Sequence, residues 1–150
     1  MCNSSPLIVL DRIGRLDLLQ QVFGTIFVPP AVIAEISPRL ALSGWIIARS
    51  LARPLSPRIL AASLGDGESE AINLAMEINA DRVILDDRAA RRLAQRLGVP
   101  IIGTLGVLLA AKRRGILPSI RPHLDALIHD GFRIAPALYE RVLADAGEWP

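Results

Sequence analysis

Residues 82–102, RVILDDRAARRLAQRLGVPII, constrain the fold more than any other stretch. RVIL, 82–85, reads as a buried strand, and VPII, 99–102, as another. Residues 87–97 between them read as a helix ended by Gly98, which accepts the positive φ common at helix C-termini. Strands joined through a helical crossover lie parallel. Such units build α/β folds.

The alternation continues along the chain. GRLDLLQQVF, 14–23, has apolar residues at helical spacing. TIFVP, 25–29, reads as a short strand, and Pro30 stands at a natural helix start. Residues 39–57 are least clear: WIIA, 45–48, reads as a strand, and Pro54 and Pro57 punctuate a loop. LGDGESEAINLAMEINA, 64–80, is a glycine loop opening a helix. Residues 104–114 form a further helix with Gly115 at its end, and two more flank GFRIA. The fold class expected is α/β with a mainly parallel central sheet, in a single domain spanning 1–150.

A chain of 150 residues suits one domain with a sizeable core. Apolar residues make up 51% and aromatics only 4%, so aliphatic side chains fill that core. The aliphatic surplus also implies a self-association face, and a homodimer is expected. Net charge is only +2, so the distribution of charge matters more than its total. Of the 17 basic residues all but Lys112 are arginine, which suits bidentate contact with phosphate. The lone Cys2 excludes an intrachain disulfide and a cysteine zinc cage, and fits the cytosol. MCNSSPLIVLDR lacks the basic region and long apolar core of a signal peptide. The longest uncharged apolar stretch, 99–111, is too short to cross a bilayer. The expectation is a cytoplasmic protein with no membrane segment.

In open α/β sheets ligands bind beyond the carboxyl ends of the strands. Asp86 and Asp87 stand at such an end. The GDGESE loop precedes that strand by one helix, and Glu35 belongs to a third helix that follows a strand. These positions propose a cluster of Glu35, Glu68 or Glu70, Asp86 and Asp87. Clustered carboxylates repel unless a cation joins them, and oxygen ligands favour Mg²⁺ or Mn²⁺. The chemistry implied is phosphodiester hydrolysis. Each acid also has a plain structural reading. Asp86 or Asp87 can N-cap the next helix, Glu68 and Glu70 suit a first turn, and Glu35 alone is a solvated helix residue. Thr104 is a candidate contact behind the metal ligands or a simple N-cap. His123 and His129 read as surface residues.

Taken in order, these stretches resemble the PIN-domain family of metal-dependent ribonucleases, in its small prokaryotic branch related to VapC-type toxins. The stretches that carry the resemblance are NSSPLIVLDRIGRLDLL, VPPAVIAEI, GESEAINLAMEINADRVILDDRAARRLAQRLG and IIGTLGVLLAAKRRG. The resemblance implies a three-layer α/β/α sandwich. It places the family's metal site on Asn3, Glu35, Glu70 and Asp87, with Asp86 beside the last. Asn3 stands where the family usually has Asp, so it brings an oxygen but no charge. With only Met1 and Cys2 before it, the expectation is either a first strand that is a stub or a true N-terminus that lies upstream. On a helical wheel Glu68 falls inside the apolar arc of Ala71, Ile72, Leu74, Ala75 and Ile78, and Glu70 falls outside it, so both stay candidates. The implied function is a Mg²⁺- or Mn²⁺-dependent endoribonuclease acting on single-stranded RNA, as a toxin with an antitoxin protein. The alternative is a degenerate domain that binds RNA or protein without cleaving. Arg88, Arg92 and Arg96, spaced i, i+4, i+8, with Arg91 beside them, are either a candidate RNA-binding face or a counter-charge to Asp86, Asp87 and the neighbouring carboxylates.

Overall fold

The computed structural model describes residues 1–150. Four short strands carry the sheet: β1 (Ile26–Val28), β2 (Ile46–Ala48), β3 (Val83–Ile84) and β4 (Ile101–Ile102). β1 pairs with β2 in parallel, Ile26 opposite Ile46, and β3 pairs with β4 in parallel, Val83 opposite Ile101. Residues 1–3 join the two pairs. Cys2 forms a parallel bridge with Ile84, and its N–H donates to Phe27 O at 3.1 Å. Ile84 N–H donates to Met1 O at 2.9 Å, and Asn3 N–H to Ile84 O at 3.1 Å. The spatial order is therefore β2, β1, residues 1–3, β3, β4. Residues 1–3 thus lie at the centre of the sheet.

Helices cover both faces, which explains why the strands are apolar on both sides. Successive strand residues point to opposite faces. Ile84 enters a core of 23 buried residues, with Cys2, Ile26 and Ile102. Val83 and Leu85 enter a second core of 12 buried residues, with Met1 and Val99. The larger core is closed by α1 (Ser4–Arg12), α2 (Asp17–Phe23), α3 (Pro30–Ile36), α7 (Thr104–Arg113), α8 (Arg121–His129) and α9 (Pro136–Asp145). The smaller is closed by α4 (Pro57–Ala61), α5 (Asp66–Glu77) and α6 (Arg88–Arg96). This is the α/β/α arrangement the sequence implied.

The structure differs from the sequence reading in four places. Residues 4–12 form α1, which the sequence did not reveal as a helix. The next helix begins at Asp17 rather than Gly14, because Gly14 adopts φ 69° in the turn between them. Pro57 is the first residue of α4 and not part of a loop, with the Ser56 side chain accepting from Ile59 N–H. His123 is half-buried against Arg15 and not a free surface residue, and burial, then the Arg15 charge, lowers its pKa. No helix is long and apolar enough to cross a membrane.

Candidate active site at the carboxyl ends of the strands

Successive connections run from residues 1–3 out to β1 and β2, then return past the centre to β3 and β4. The reversal opens a crevice beside the first strand, the usual ligand position in open α/β sheets. Asn3 and Asp86 end the two strands that flank it.

Asn3 is fully buried and is the N-cap residue of α1. Its Nδ2 donates to Glu68 Oε1 at 2.9 Å. A carboxylate only accepts, so this bond fixes which end of the amide faces Glu68. The other end, Oδ1, is buried with no hydrogen-bond partner. Glu35 lies close by, with Oε2 accepting from the Ser4 hydroxyl. A Cβ added to Gly67 would meet Glu35 Oε1 at 2.7 Å, Glu35 Oε2 at 3.0 Å and Asn3 Oδ1 at 3.1 Å. Gly67 thus keeps a small space open, rimmed by three acceptor oxygens with no donor among them.

Glu68 also lines an open pocket of about 450 Å³ with Asp86 and Asp87. Asp86 is held firmly. Its Oδ1 accepts from Thr104 N–H at 2.8 Å and its Oδ2 from the Thr104 hydroxyl at 2.5 Å. Thr104 is the first residue of α7, after an N-cap at Gly103, so it anchors Asp86 and does not cap its own helix. Asp87 is the N-cap of α6, with Oδ1 accepting from Ala90 N–H at 2.8 Å. Asp87→Ala should therefore cost about 1 kcal/mol of stability from the lost cap alone. Asp87→Asn should keep most of that stability, and a chemical-denaturation midpoint distinguishes the two.

Glu70 is turned elsewhere. Its Oε2 accepts from Ala31 N–H at 2.8 Å, in the first turn of α3. Arg91 is also turned inward, donating to Leu85 O at 2.8 Å. Arg88, Arg92 and Arg96 stay exposed, and none forms an ion pair. As it stands, no group of three acidic, histidine or cysteine side chains is gathered tightly enough to cage a metal by itself. Cys2 is fully buried, and burial pushes its thiol pKa far up, so it is an inert core residue.

Four functional candidates escaped the sequence. Arg12, Asp130, Phe132 and Arg133 line the same pocket as Asp86 and Asp87. Arg12 and Asp130 approach to 3.7 Å. The one signal in the sequence was the turn at Gly131, with polar and aromatic residues packed around it.

Comparison with protein families settles the relationship. A family model, DUF3368, described as a PIN domain, matches residues 1–148. The chain belongs to the PIN-domain family. No curated protein and no solved structure matches it. This PIN domain therefore carries a nuclease-type fold.

Proposed function

We propose that this PIN domain binds a divalent cation, Mg²⁺ or Mn²⁺, and cleaves single-stranded RNA as an endoribonuclease. The observation that carries this reading is the Asn3 Oδ1 atom. A buried acceptor without a donor costs on the order of 1–3 kcal/mol. Here it borders a carboxylate, across a space that Gly67 leaves open. Two acceptors facing one another call for a cation or a water between them. Oxygen donors from an amide and carboxylates suit a hard divalent ion.

The residues that would hold it are Asn3, Glu35 and Glu68, with Asp86 and Asp87 on the adjoining wall. Glu70, occupied by the α3 N-terminus, takes a positioning role, because α3 carries Glu35. A bound divalent ion supplies Lewis-acid polarisation and neutralises charge developing on the phosphodiester. The protein's part is to orient. Thr104 fixes Asp86 through both carboxylate oxygens, and Asp87 keeps its second oxygen free of the α6 cap. Phe132, half-buried at the pocket mouth, offers a face on which a nucleobase can stack, with Arg12 and Arg133 beside it.

The exposed Arg88, Arg92 and Arg96 extend this track along α6. Because Arg91 is turned inward, three arginines rather than four remain for phosphate. The slope of log K against log salt is then expected near −2, from about −0.7 per phosphate neutralised on a single strand. Replacing Arg92 and Arg96 with Gln should flatten it by roughly 1.4 on the same rule, with metal affinity unchanged. An unmoved slope would send the RNA along another path.

A non-cleaving PIN domain is the second reading, and one contact favours it. The amide of Asn3 already satisfies Glu68, so the site is stable with less charge than an all-carboxylate set. Asn3→Asp should tighten metal binding and weaken the metal-free fold, since the donor to Glu68 is replaced by a like charge. The function is tested with a labelled single-stranded RNA and a Mn²⁺ or Mg²⁺ titration. Cleavage that requires the metal and stops with EDTA and with Asp87→Ala supports the enzyme. Metal and RNA binding without cleavage supports the second reading. A toxin role with an antitoxin protein, a homodimer and residence in the cytoplasm complete the proposal. The exposed Ile47 on edge strand β2 is the natural start of a dimer contact. Light scattering at roughly tens of micromolar, where weak interfaces are populated, tests it.

A further inference from the structure

Asp130, Gly131, Phe132 and Arg133 form the turn that closes α8. With Arg12, at the end of α1, they line the same pocket as Asp86 and Asp87. The turn is fixed by its own backbone. Asp130 is the C-cap residue of α8, and its N–H donates to Ala126 O at 3.0 Å. Gly131 adopts φ 94°, which a side chain would oppose. The chain reverses there, and Phe132 N–H donates back to Leu127 O at 2.9 Å. Phe132 packs on the larger core while it lines the pocket, so its ring is held in place.

The charged pair on this wall contributes little to the fold. Arg12 and Asp130 lie 3.7 Å apart, with side chains 53% and 37% exposed. At that distance they are not hydrogen-bonded to each other, and an exposed pair of this kind adds little stability. Both keep hydrogen-bonding capacity. Arg12 can only donate, and an ionised Asp130 can only accept. Val9 and Phe132 are the two apolar side chains in the pocket. They offer surface to the flat face of a base, while the pair beside them offers a donor next to an acceptor.

That pattern discriminates among bases. Guanine sets an acceptor, O6, beside two adjacent donors, N1–H and the N2 amine. Adenine and cytosine turn an amine towards the place of O6. Uracil has one donor between two carbonyls, so its second carbonyl would meet the carboxylate.

We infer that this wall is a subsite for a guanine of single-stranded RNA. Asp130 accepts from N1–H and the N2 amine, Arg12 donates to O6, and Phe132 stacks on the ring. Arg133 is left for an adjoining phosphate. The inference rests on the reading that this pocket receives RNA, and adds which base it selects. Because Asp86 and Asp87 line the same pocket, the phosphodiester presented to them lies next to that guanosine.

The test titrates the ¹⁵N-labelled full chain, free of metal, with GMP, IMP, AMP, UMP and CMP. Saturable shifts of the Gly131, Phe132 and Arg133 amides are expected with GMP. GMP should bind at least about tenfold more tightly than AMP, UMP or CMP, a discrimination ordinary for a bidentate base contact. IMP, which lacks the N2 amine, should fall between. Asp130→Asn should lower the ratio of GMP to AMP affinity at least about tenfold, because its amide opposes one guanine donor and can pair with adenine. Unshifted amides away from the turn show that this variant is folded. Phe132→Leu should weaken all five nucleotides and keep their order. Equal affinity for GMP and AMP, or a preference that survives Asp130→Asn, would overturn the inference. So would the absence of saturable GMP binding. None of these outcomes decides the nuclease reading, which the metal-dependent cleavage assay tests separately. GMP selection without cleavage would keep the subsite and remove the enzyme.

Discussion

Asp86→Asn is expected to lower the proposed RNA cleavage at least about 100-fold, with little loss of stability. The substitution is nearly isosteric. Asn Oδ1 still accepts from Thr104 N–H, and Asn Nδ2 can donate to the Thr104 hydroxyl, which is both donor and acceptor. What is lost is one negative charge at the end of β3, beside Glu68 and Asp87. Preorganised electrostatic groups in active sites are each worth about 10²- to 10³-fold. Glu68→Gln should act similarly, since the Gln oxygen still accepts from Asn3 Nδ2. Thr104→Val should lower cleavage less, by about 10- to 100-fold, because it frees only Asp86 Oδ2, the backbone bond to Oδ1 remaining, and leaves the charge in place. Single-turnover rates on one RNA substrate order the three. An Asp86→Asn protein with unimpaired turnover would exclude Asp86 from the chemistry.

Glu148→Ala is expected to be the most damaging change to the fold outside the cores. Glu148 gathers the C-terminus onto the start of α8. Its Oε1 accepts from Ile120 N–H at 2.7 Å, and its Oε2 accepts from the Ser119 hydroxyl at 2.6 Å and from Arg121 N–H at 3.1 Å. Lys112 Nζ lies 3.3 Å away. Burial pushes this carboxyl up, but the Ser119, Ile120, Arg121 and Lys112 donors outweigh it and hold its pKa down to about 2. A depressed carboxylate stabilises the fold above its unfolded pKa, and the benefit is lost as pH falls towards the folded value. The window is therefore pH 4.5 down to about 2. The loss on mutation should be on the order of 2 kcal/mol, less than the sum of the separate contacts because water takes over part of them. For a chain of this length that is roughly 4–8 °C in Tm. The variant should also lack the drop in stability between pH 4.5 and about 2 that is expected of the parent. Since α8 leads into Asp130 and Arg133, RNA affinity should fall with it. Thermal melts of both proteins across that pH range measure the effect.

The sequence was most legible where local signals agree. β3, α6 and β4 were placed within two residues at each end, because Asp87 caps α6, Gly98 stops it, and both strands are apolar. α1 was hidden. Its Leu7-Ile8-Val9-Leu10 run suits helix or strand equally, and only the placement of Asn3 at the strand end decides. α4 is too short to show a period, and its proline reads as a breaker when it is a first helical residue.

In the candidate site, Glu35, Asp86 and Asp87 were grouped from the sequence because each follows a strand end, and Asn3 joined them only through the family resemblance. Glu68 and Glu70 could not be told apart, being half a turn from each other on one helix. Distant partners separate them: Glu70 meets Ala31, and Glu68 meets Asn3. Asp130, Phe132 and Arg133 were illegible for the same reason. They reach the pocket only through the packing of α8 on the larger core, and no local pattern announces it. Arg91 shows the converse, a residue in a legible stripe that tertiary structure draws inward.

The most direct test of the account is Mn²⁺ binding by calorimetry to the parent protein and to Gly67→Ala. The added methyl would fill the space among Glu35 Oε1, Glu35 Oε2 and Asn3 Oδ1. Alanine is the better helix former by about 1 kcal/mol, and the crowded atoms of Glu35 can swing away. The metal-free variant should therefore be at least as stable as the parent. The account predicts saturable Mn²⁺ binding to the parent and at least tenfold weaker binding to Gly67→Ala, at equal or higher Tm. Equal Mn²⁺ affinity in the two proteins would contradict it, and would place any metal away from the Asn3 oxygen.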